Sequence, residues 1–261
     1  MTDKKYAGYL IDLDGTMYRG KEQMPEAKAF IEQLQAKQID FMFLTNNTTK
    51  SPAAVIQNLA DNHDIHATVD QVYTPSLATA RYLLNLNGGQ ANGKTAYVIG
   101  EIGLKQAILD AGFRTNEYDP DYVIVGLDYD VTYHKFELAT LAIKRGALFI
   151  GTNADTNLPN ERGLVPGAGS VIALVERATQ QSALYIGKPE TIIMEMALEQ
   201  FGLTKEAVVM VGDNYNTDIR AGINSGVDTL LVYTGVSTPA DVAKQAIQPT
   251  HVVNSLAEWE A

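Results

Sequence analysis

The stretch Tyr9-Leu-Ile-Asp-Leu-Asp-Gly-Thr16 decides the fold prediction for this chain. Its apolar, β-prone start runs into Gly15, which is typical of a buried strand that stops at a turn. Asp12 and Asp14 stand at that end, one residue apart. Carboxylates there are unfavourable without a cationic partner, and ligands bind at the carboxyl ends of strands in open parallel sheets. The stretch therefore suggests a hard metal ion, although on its own a solvated polar turn explains it equally well.

Composition limits the class of protein. The chain has 261 residues, of which 46% are hydrophobic and 20% charged, so it can bury a large core as one domain or two. A formal charge of −11 opposes a nucleic-acid or anionic-membrane surface, which needs clustered Lys and Arg. There is no cysteine, which excludes thiolate sites, and no apolar run near the roughly 18 residues of a membrane helix. We expect a soluble, cytoplasmic protein without a nucleic-acid or membrane partner.

Predicted strands and helices alternate along the chain, which implies right-handed crossovers and a parallel sheet. After the opening strand, the predicted strands are 39–44, 71–73, 95–99, 122–125, 147–150, 184–186, 207–211 and 229–233. The predicted helices are 25–34, 52–62, 76–87, 102–111, 133–145, 170–178, 190–201, 217–224 and 239–246. A long irregular stretch precedes residue 170, and a short tail ends the chain.

A Gly- and Asn-rich loop at 87–93 separates two series of this alternation, and the first series resumes near residue 183. We therefore predict an α/β fold in which residues 1–79 and 180–261 form a doubly wound, Rossmann-like parallel-sheet core. Residues 80–179 form a separate α/β domain inserted into it.

Four predicted strands end in polar residues of the kinds that phosphoryl transfer uses. Besides the two aspartates of the opening stretch, these residues are Thr45, Asn46, Lys188, Asp213 and Asp218. In a parallel sheet all four ends lie along one edge. Mg²⁺ prefers hard oxygen ligands, an ionised Asp can attack phosphorus, and a second carboxylate can transfer the proton. An ammonium and neutral donors stabilise the negative charge of the transferring group.

Each of these signals has an ordinary structural explanation when taken alone. The Thr45-Asn-Asn47 segment is typical of a turn or helix cap, and Gly187-Lys-Pro189 is typical of a solvated loop. A calcium loop at 212–218 is excluded because Tyr215 stands where the EF-hand pattern needs an acid or amide. The joint occurrence of the four signals, each at a strand end, favours a catalytic site.

At this point the chain resembles the haloacid dehalogenase (HAD) superfamily of phosphohydrolases. Asp12-Leu-Asp-Gly-Thr16, Thr45, Lys188, and Gly212-Asp213 with Asp218 are similar to the four motifs of that superfamily. The second Asp of the first motif is typical of its phosphatases and speaks against its dehalogenases. The insertion is similar to the type-two cap, and the motif surroundings resemble the NagD-like, or p-nitrophenyl phosphatase, branch.

The resemblance implies a role for each matching residue. Asp12 would be the nucleophile and a Mg²⁺ ligand, and Asp14 the general acid and base, with its main-chain carbonyl on the metal. Asp213 would bind Mg²⁺, with Asp218 orienting the metal site from behind. The phosphate ligands would be Thr45, Asn46 and Lys188.

We therefore expect a Mg²⁺-dependent enzyme that hydrolyses small phosphomonoesters, such as sugar phosphates or nucleoside monophosphates, through an aspartyl-phosphate. The alternatives are a phosphotransferase or mutase acting on sugar phosphates and a regulatory protein that binds phosphorylated metabolites with little turnover. Candidate substrate contacts in the cap are Asp128, Asn153 and Asp155, for which ordinary polar turns are an equal explanation. Caps in this branch often mediate dimers, so a homodimer through the cap is a further expectation.

Overall fold

The computed structural model describes residues 4–160 and 162–261, which form two compact units. The core unit contains the chain up to Thr45, then Pro52–Tyr73 and Lys188–Ala261. The inserted unit contains Asn46–Ser51 and Thr74–Gly187. Within the described residues, no helix is long and apolar enough to cross a membrane.

The core unit is built on a six-stranded parallel sheet. Its strands, in spatial order, are His251–Val253, Asp228–Val232, Val208–Gly212, Gly8–Ile11, Asp40–Leu44 and Val72–Tyr73. The helices of this unit are Pro25–Ala36, Pro52–His63, Thr191–Phe201, Arg220–Ser225 and Pro239–Val242. A π-helical turn, Tyr215–Ile219, leads into the fourth of them, and a two-stranded antiparallel ribbon joins Tyr18–Arg19 to Glu22–Gln23.

The opening strand lies in the middle of this sheet and is buried along its whole length. Tyr9 is in register with Val209 on one side and Phe41 on the other. The helix Pro25–Ala36 begins at a proline, which suits the first helical turn, and buries the apolar face that its spacing predicts. Apolar residues of several strands and helices thus pack around the opening stretch, which fixes the position of the two aspartates that follow it.

The chain reverses direction across the sheet beside the opening strand. From Gly8–Ile11 it builds outward through Asp40–Leu44 to Val72–Tyr73. After the inserted unit it returns to the other side of the opening strand, at Val208–Gly212, and builds outward again. Open α/β sheets bind ligands at the carboxyl ends of the strands that flank such a reversal. Here those ends carry Asp12 and Asp213.

The inserted unit has a five-stranded parallel sheet of its own. Its strands, in spatial order, are Leu184–Tyr185, Leu148–Gly151, Tyr122–Val125, Thr95–Ile99 and Arg114–Thr115. Its helices are Pro75–Leu86, Ile102–Asp110, Tyr133–Lys144 and Ala168–Thr179, and a separate antiparallel pair joins Asn157–Asn160 to Gly163–Pro166. The apolar residues of its central strands and of the last two helices pack into one core cluster.

The predicted α/β class with parallel sheets is confirmed, and several local predictions were wrong. The stretch before residue 170 is not wholly irregular, since it contains the antiparallel strands Asn157–Asn160 and Gly163–Pro166, which have no buried apolar face to reveal them. The tail contains the edge strand His251–Val253. The helix predicted at 239–246 is only Pro239–Val242. The first three residues of the helix predicted at 217–224 belong to the π-helical turn, and the α-helix begins at Arg220.

Candidate active site

Asp12 and Asp14 follow the central strand but differ in exposure. The Asp12 amide still donates to the Val211 carbonyl at 2.9 Å, which extends the sheet by one residue, and its side chain is buried. Asp14 is exposed. Gly15, which follows Asp14 directly, adopts φ +92°, and a Cβ at this residue would lie 2.5 Å from an oxygen of Asp213. Both the backbone conformation and the close approach therefore require glycine.

Lys188 brings three parts of the core unit together. Its ammonium lies 2.6 Å from Asp12 Oδ1 and 2.7 Å from Asp218 Oδ1, and it donates to the Leu44 carbonyl at 2.6 Å. The residue is only 1% exposed. A charge so deeply buried is tolerated because two carboxylates and a carbonyl surround it.

Asp213 faces Asp12 across a buried threonine. The Thr16 hydroxyl lies 3.2 Å from Asp213 Oδ1 and 3.5 Å from Asp12 Oδ2. The other Asp213 oxygen accepts a hydrogen bond from the Val236 amide at 2.7 Å. One oxygen of each carboxylate is thus directed toward the space that Thr16 borders.

Asp218 has both of its carboxylate oxygens engaged by the protein. One oxygen pairs with Lys188, and the other accepts a hydrogen bond from the Asn214 amide at 3.0 Å. The π-helical turn Tyr215–Ile219 places Asp218 against Gly212, where a Cβ would lie 2.3 Å from the Asp218 Cβ. Asp218 therefore touches the lysine directly, a contact that its spacing in the sequence does not reveal.

The charges of the cluster perturb one another strongly. Burial, followed by repulsion from Asp218, raises the pKa of Asp12 well above its usual value despite the nearby ammonium. Burial is also the main cause that raises the pKa of Asp213 to about 6. Burial opposes the charged form of Lys188, but the carboxylates of Asp12 and Asp218 outweigh it and raise the pKa of the lysine.

The donor set suits a divalent cation. Oxygens of Asp12, Asp213 and Asp218 all lie within 4.8 Å of one another, and all three residues are buried. The ammonium of Lys188, which pairs with two of them, carries a single positive charge, so ionisation of all three leaves an excess of negative charge around it. Hard cations take carboxylate oxygens of this kind. Both oxygens of Asp218 are engaged, by Lys188 and by a backbone amide, so Asp12 and Asp213 are the side chains better placed to bind such a cation.

The predicted phosphate ligands divide between the two units. Thr45 ends the Asp40–Leu44 strand of the core unit, is buried, and donates its amide to the Tyr73 carbonyl at 3.3 Å. Asn46 belongs to the inserted unit, where its side-chain amide donates to Asp155 at 3.1 Å. Asn153 in turn donates to the Asn46 carbonyl at 2.9 Å. The phosphate-binding role of these residues stays a prediction.

The three cap candidates lie in two different networks of the inserted unit. Asn153 and Asp155 share the network of Asn46 just described. Asp128 is buried and paired with Lys135 at 2.9 Å, and it also accepts a hydrogen bond from the Asp130 amide. Each candidate thus has a local structural partner, and contact with substrate stays a prediction for all three.

Sequence reasoning missed the loop at 234–237, which follows the Asp228–Val232 strand and Tyr233. The Thr234 hydroxyl donates to the Gly15 carbonyl at 2.7 Å, and the Val236 amide is the donor to Asp213. The signal was available, because this loop is also a polar segment at the carboxyl end of a predicted parallel strand. It was overlooked because its residues are neutral and form no recognisable motif.

Comparisons with known proteins show which family the chain resembles. A family model described as haloacid dehalogenase-like hydrolase matches residues 9–114, and a second, HAD-hydrolase-like model matches residues 185–259. The 5'-nucleotidase YutF of Bacillus subtilis is 46% identical over 98% of both chains. An acid sugar phosphatase of Staphylococcus aureus is 47% identical over 98% of this chain and 97% of its own.

Solved structures of similar proteins extend the comparison to three dimensions. A single mutant of a thermostable NPPase from Geobacillus stearothermophilus matches with a TM-score of 0.91 and 47% identity, covering 98% of this chain and 99% of that one. A 4-nitrophenylphosphatase from Thermotoga maritima matches with a TM-score of 0.89 and 32% identity, covering 97% and 95%. The similarity thus covers both units of the chain.

Proposed function

The chain belongs to the haloacid dehalogenase-like hydrolases, and we propose that it is a Mg²⁺-dependent phosphatase of small phosphomonoesters that works through an aspartyl-phosphate. The phosphatase class rests on relatives that cover nearly the whole chain. The observation that carries the mechanism is the buried cluster of Asp12, Lys188 and Asp213 beside the reversal point of the sheet.

In the proposed first step, an oxygen of Asp12 attacks phosphorus and the ester P–O bond breaks. Asp14 gives its proton to the leaving alkoxide, which suits its exposed side chain. Lys188, whose ammonium lies 2.6 Å from Asp12, fixes the orientation of the nucleophile and offsets the negative charge that develops beside it. Thr45 and Asn46 are the proposed neutral donors to the phosphate.

In the second step, Asp14 takes a proton from water, which attacks phosphorus and releases Asp12 and inorganic phosphate. Asp14 thus regains in the second step the proton that it gave to the leaving alkoxide in the first. The residues that would hold Mg²⁺ are Asp12 and Asp213 through their carboxylates and Asp14 through its carbonyl. When bound there, the ion would favour the ionised form of Asp12 and offset charge on the transferring group. Asp218 fixes Lys188 in this arrangement.

The substrate class is proposed from the two kinds of relative. One relative is named a 5'-nucleotidase and another an acid sugar phosphatase, at nearly equal identity to this chain. Nucleoside monophosphates and sugar phosphates are therefore both proposed substrates, with Asp128, Asn153 and Asp155 of the inserted unit as candidate contacts. A homodimer formed through that unit, and action in the cytoplasm, which the absence of cysteine fits, complete the proposal.

The test is Mg²⁺-dependent phosphate release from p-nitrophenyl phosphate by the purified protein. Asp12→Asn removes the nucleophile and should abolish release, whereas Asp40→Asn changes an exposed carboxylate at the other end of the adjacent strand and should not. Full activity in Asp12→Asn contradicts the mechanism. Phosphate that appears on an added sugar instead of in solution would identify a phosphotransferase.

A further inference from the structure

The loop at 234–237 contacts the first motif at a backbone carbonyl. Thr234, which is 6% exposed, donates its hydroxyl to the Gly15 carbonyl at 2.7 Å. Its own carbonyl accepts from Arg19 Nε at 2.5 Å. The hydrogen bonds therefore hold the loop against both ends of the turn that carries Asp14 and Gly15.

The same loop contacts Asp213 through three successive residues. Gly235 lies so close that a Cβ would be 1.9 Å from Asp213 Oδ2. The Val236 amide donates to that oxygen at 2.7 Å, and the Ser237 amide donates to the Asp213 carbonyl at 3.1 Å. The Val236 side chain is 66% exposed, so its contribution here is the amide and not the apolar group.

We propose that Thr234 is a positioning residue: by holding the Gly15–Thr16 peptide, it sets the spacing between the adjacent Asp14 backbone and the Asp213 carboxylate. This inference rests on the proposed function, in which the Asp14 carbonyl and Asp213 are metal ligands. The two ligands follow neighbouring strands, and the 234–237 loop hydrogen-bonds to both segments. Loss of the Thr234 hydroxyl leaves the Gly15 carbonyl without this buried donor and lets the turn move relative to Asp213.

The expected effect follows from the role of groups that orient metal ligands. Their removal weakens metal affinity or activity by about 10- to 100-fold. Thr234→Val removes the hydroxyl and keeps the shape of the side chain. Thr234→Ser keeps the hydroxyl and should bind Mg²⁺ nearly as wild type does.

Thr229→Val is the matched control. Thr229 is also a buried threonine, on the strand that leads to this loop, and its hydroxyl accepts a hydrogen bond from the Thr250 amide at 3.0 Å. Its substitution should lower the free energy of unfolding without changing Mg²⁺ affinity, because in the described part of the chain its hydroxyl bonds to Thr250 and not to the first motif or Asp213.

The experiment is calorimetric titration of Mg²⁺ into each protein without substrate, followed by kcat and KM with p-nitrophenyl phosphate. Weaker Mg²⁺ binding in Thr234→Val, with recovery in Thr234→Ser and none of the loss in Thr229→Val, supports the inference. Unchanged Mg²⁺ affinity in Thr234→Val, or an equal loss in Thr229→Val, overturns it while the phosphatase proposal stands. A wild-type protein that binds no Mg²⁺ contradicts both proposals.

Discussion

Replacing Lys188 by methionine tests the electrostatic structure of the site. The side chains are of similar length, but the variant loses an ammonium that lies 2.6 Å from Asp12 and 2.7 Å from Asp218. Removing one partner of a buried ion pair costs about 3–5 kcal/mol, because the other charge stays buried without compensation. Since a domain is stable by only about 5–15 kcal/mol, Lys188→Met should be strongly destabilised.

Urea denaturation in the presence of a chelator measures this loss, and repetition with Mg²⁺ measures its recovery. A ligand that binds only the folded state at 100 times its Kd adds about 2.7 kcal/mol of stability. We expect Mg²⁺ to raise the free energy of unfolding of the variant at least as much as that of wild type, because the bound cation no longer meets the positive charge of the lysine. The variant should nevertheless stay inactive.

The control for this prediction is Lys94→Met. Lys94 also lies 2.7 Å from its partner, Asp121, but the two side chains are 45% and 34% exposed. Solvent screens such a pair, so stability should change little. A Lys188→Met protein as stable as the Lys94→Met protein in the chelator would refute the electrostatic reasoning.

Two further predictions concern a turn and a surface cluster. Gly15→Ala should lose both hydrolysis and stability, since a left-handed residue with a Cβ costs about 1–2 kcal/mol and that Cβ would lie 2.5 Å from Asp213. The pH dependence of unfolding should be weaker in Asp228→Asn. Burial raises the pKa of Asp228, but hydrogen bonds from Lys4 and Tyr6 outweigh it, so the pKa is lower in the folded protein than in the unfolded chain. The stability that Asp228 contributes is therefore present above the pKa of the unfolded carboxyl and is lost as pH falls below it.

Each of these predictions has a control within the chain. Gly20 has φ +56°, and a Cβ there would meet nothing within 4 Å. Gly20→Ala therefore introduces the backbone strain of Gly15→Ala without the steric clash, and the variant should keep its activity. Burial lowers the pKa of His251, so wild-type stability should also fall as pH drops through about 6.5, the ordinary histidine value. Asp228→Asn should keep that step in full, because the Asp228 charge raises the pKa of His251 and its loss lowers that pKa further. Equal inactivation by both alanines, or identical acid unfolding of wild type and Asp228→Asn, would contradict the reasoning.

The alternation of strands and helices made the fold class predictable, because buried parallel strands have long apolar runs. The strand His251–Val253 has only three residues, and the antiparallel strands Asn157–Asn160 and Gly163–Pro166 are largely exposed, so neither element produces a recognisable apolar pattern. Local sequence signals fail where pairing with another strand, and not burial, defines the element.

The candidate site was predictable at the level of residue type. Asp12 and Asp213 follow neighbouring strands of the core sheet, and parallel pairing brings those two strand ends to one edge. Lys188 follows Leu184–Tyr185, a strand of the other sheet, so the expectation that all the predicted strand ends share one edge was wrong for this residue. The pairing of Asp218 with Lys188 and the hydrogen bond from Thr234 to Gly15 join residues far apart in the chain. Such contacts depend on loop conformation, which residue spacing does not encode.

The central claim is that Asp12 carries the phosphoryl group, and it is tested most directly by trapping that group. Asp14→Asn should still form the phosphoenzyme, provided the substrate has a good leaving group such as p-nitrophenolate, but should be slow to hydrolyse it. Rapid quenching with Mg²⁺ present, followed by peptide mass spectrometry, should find one phosphoryl group on Asp12. A protein that turns over without any phosphoryl group at Asp12, in wild type or in Asp14→Asn, would contradict the account.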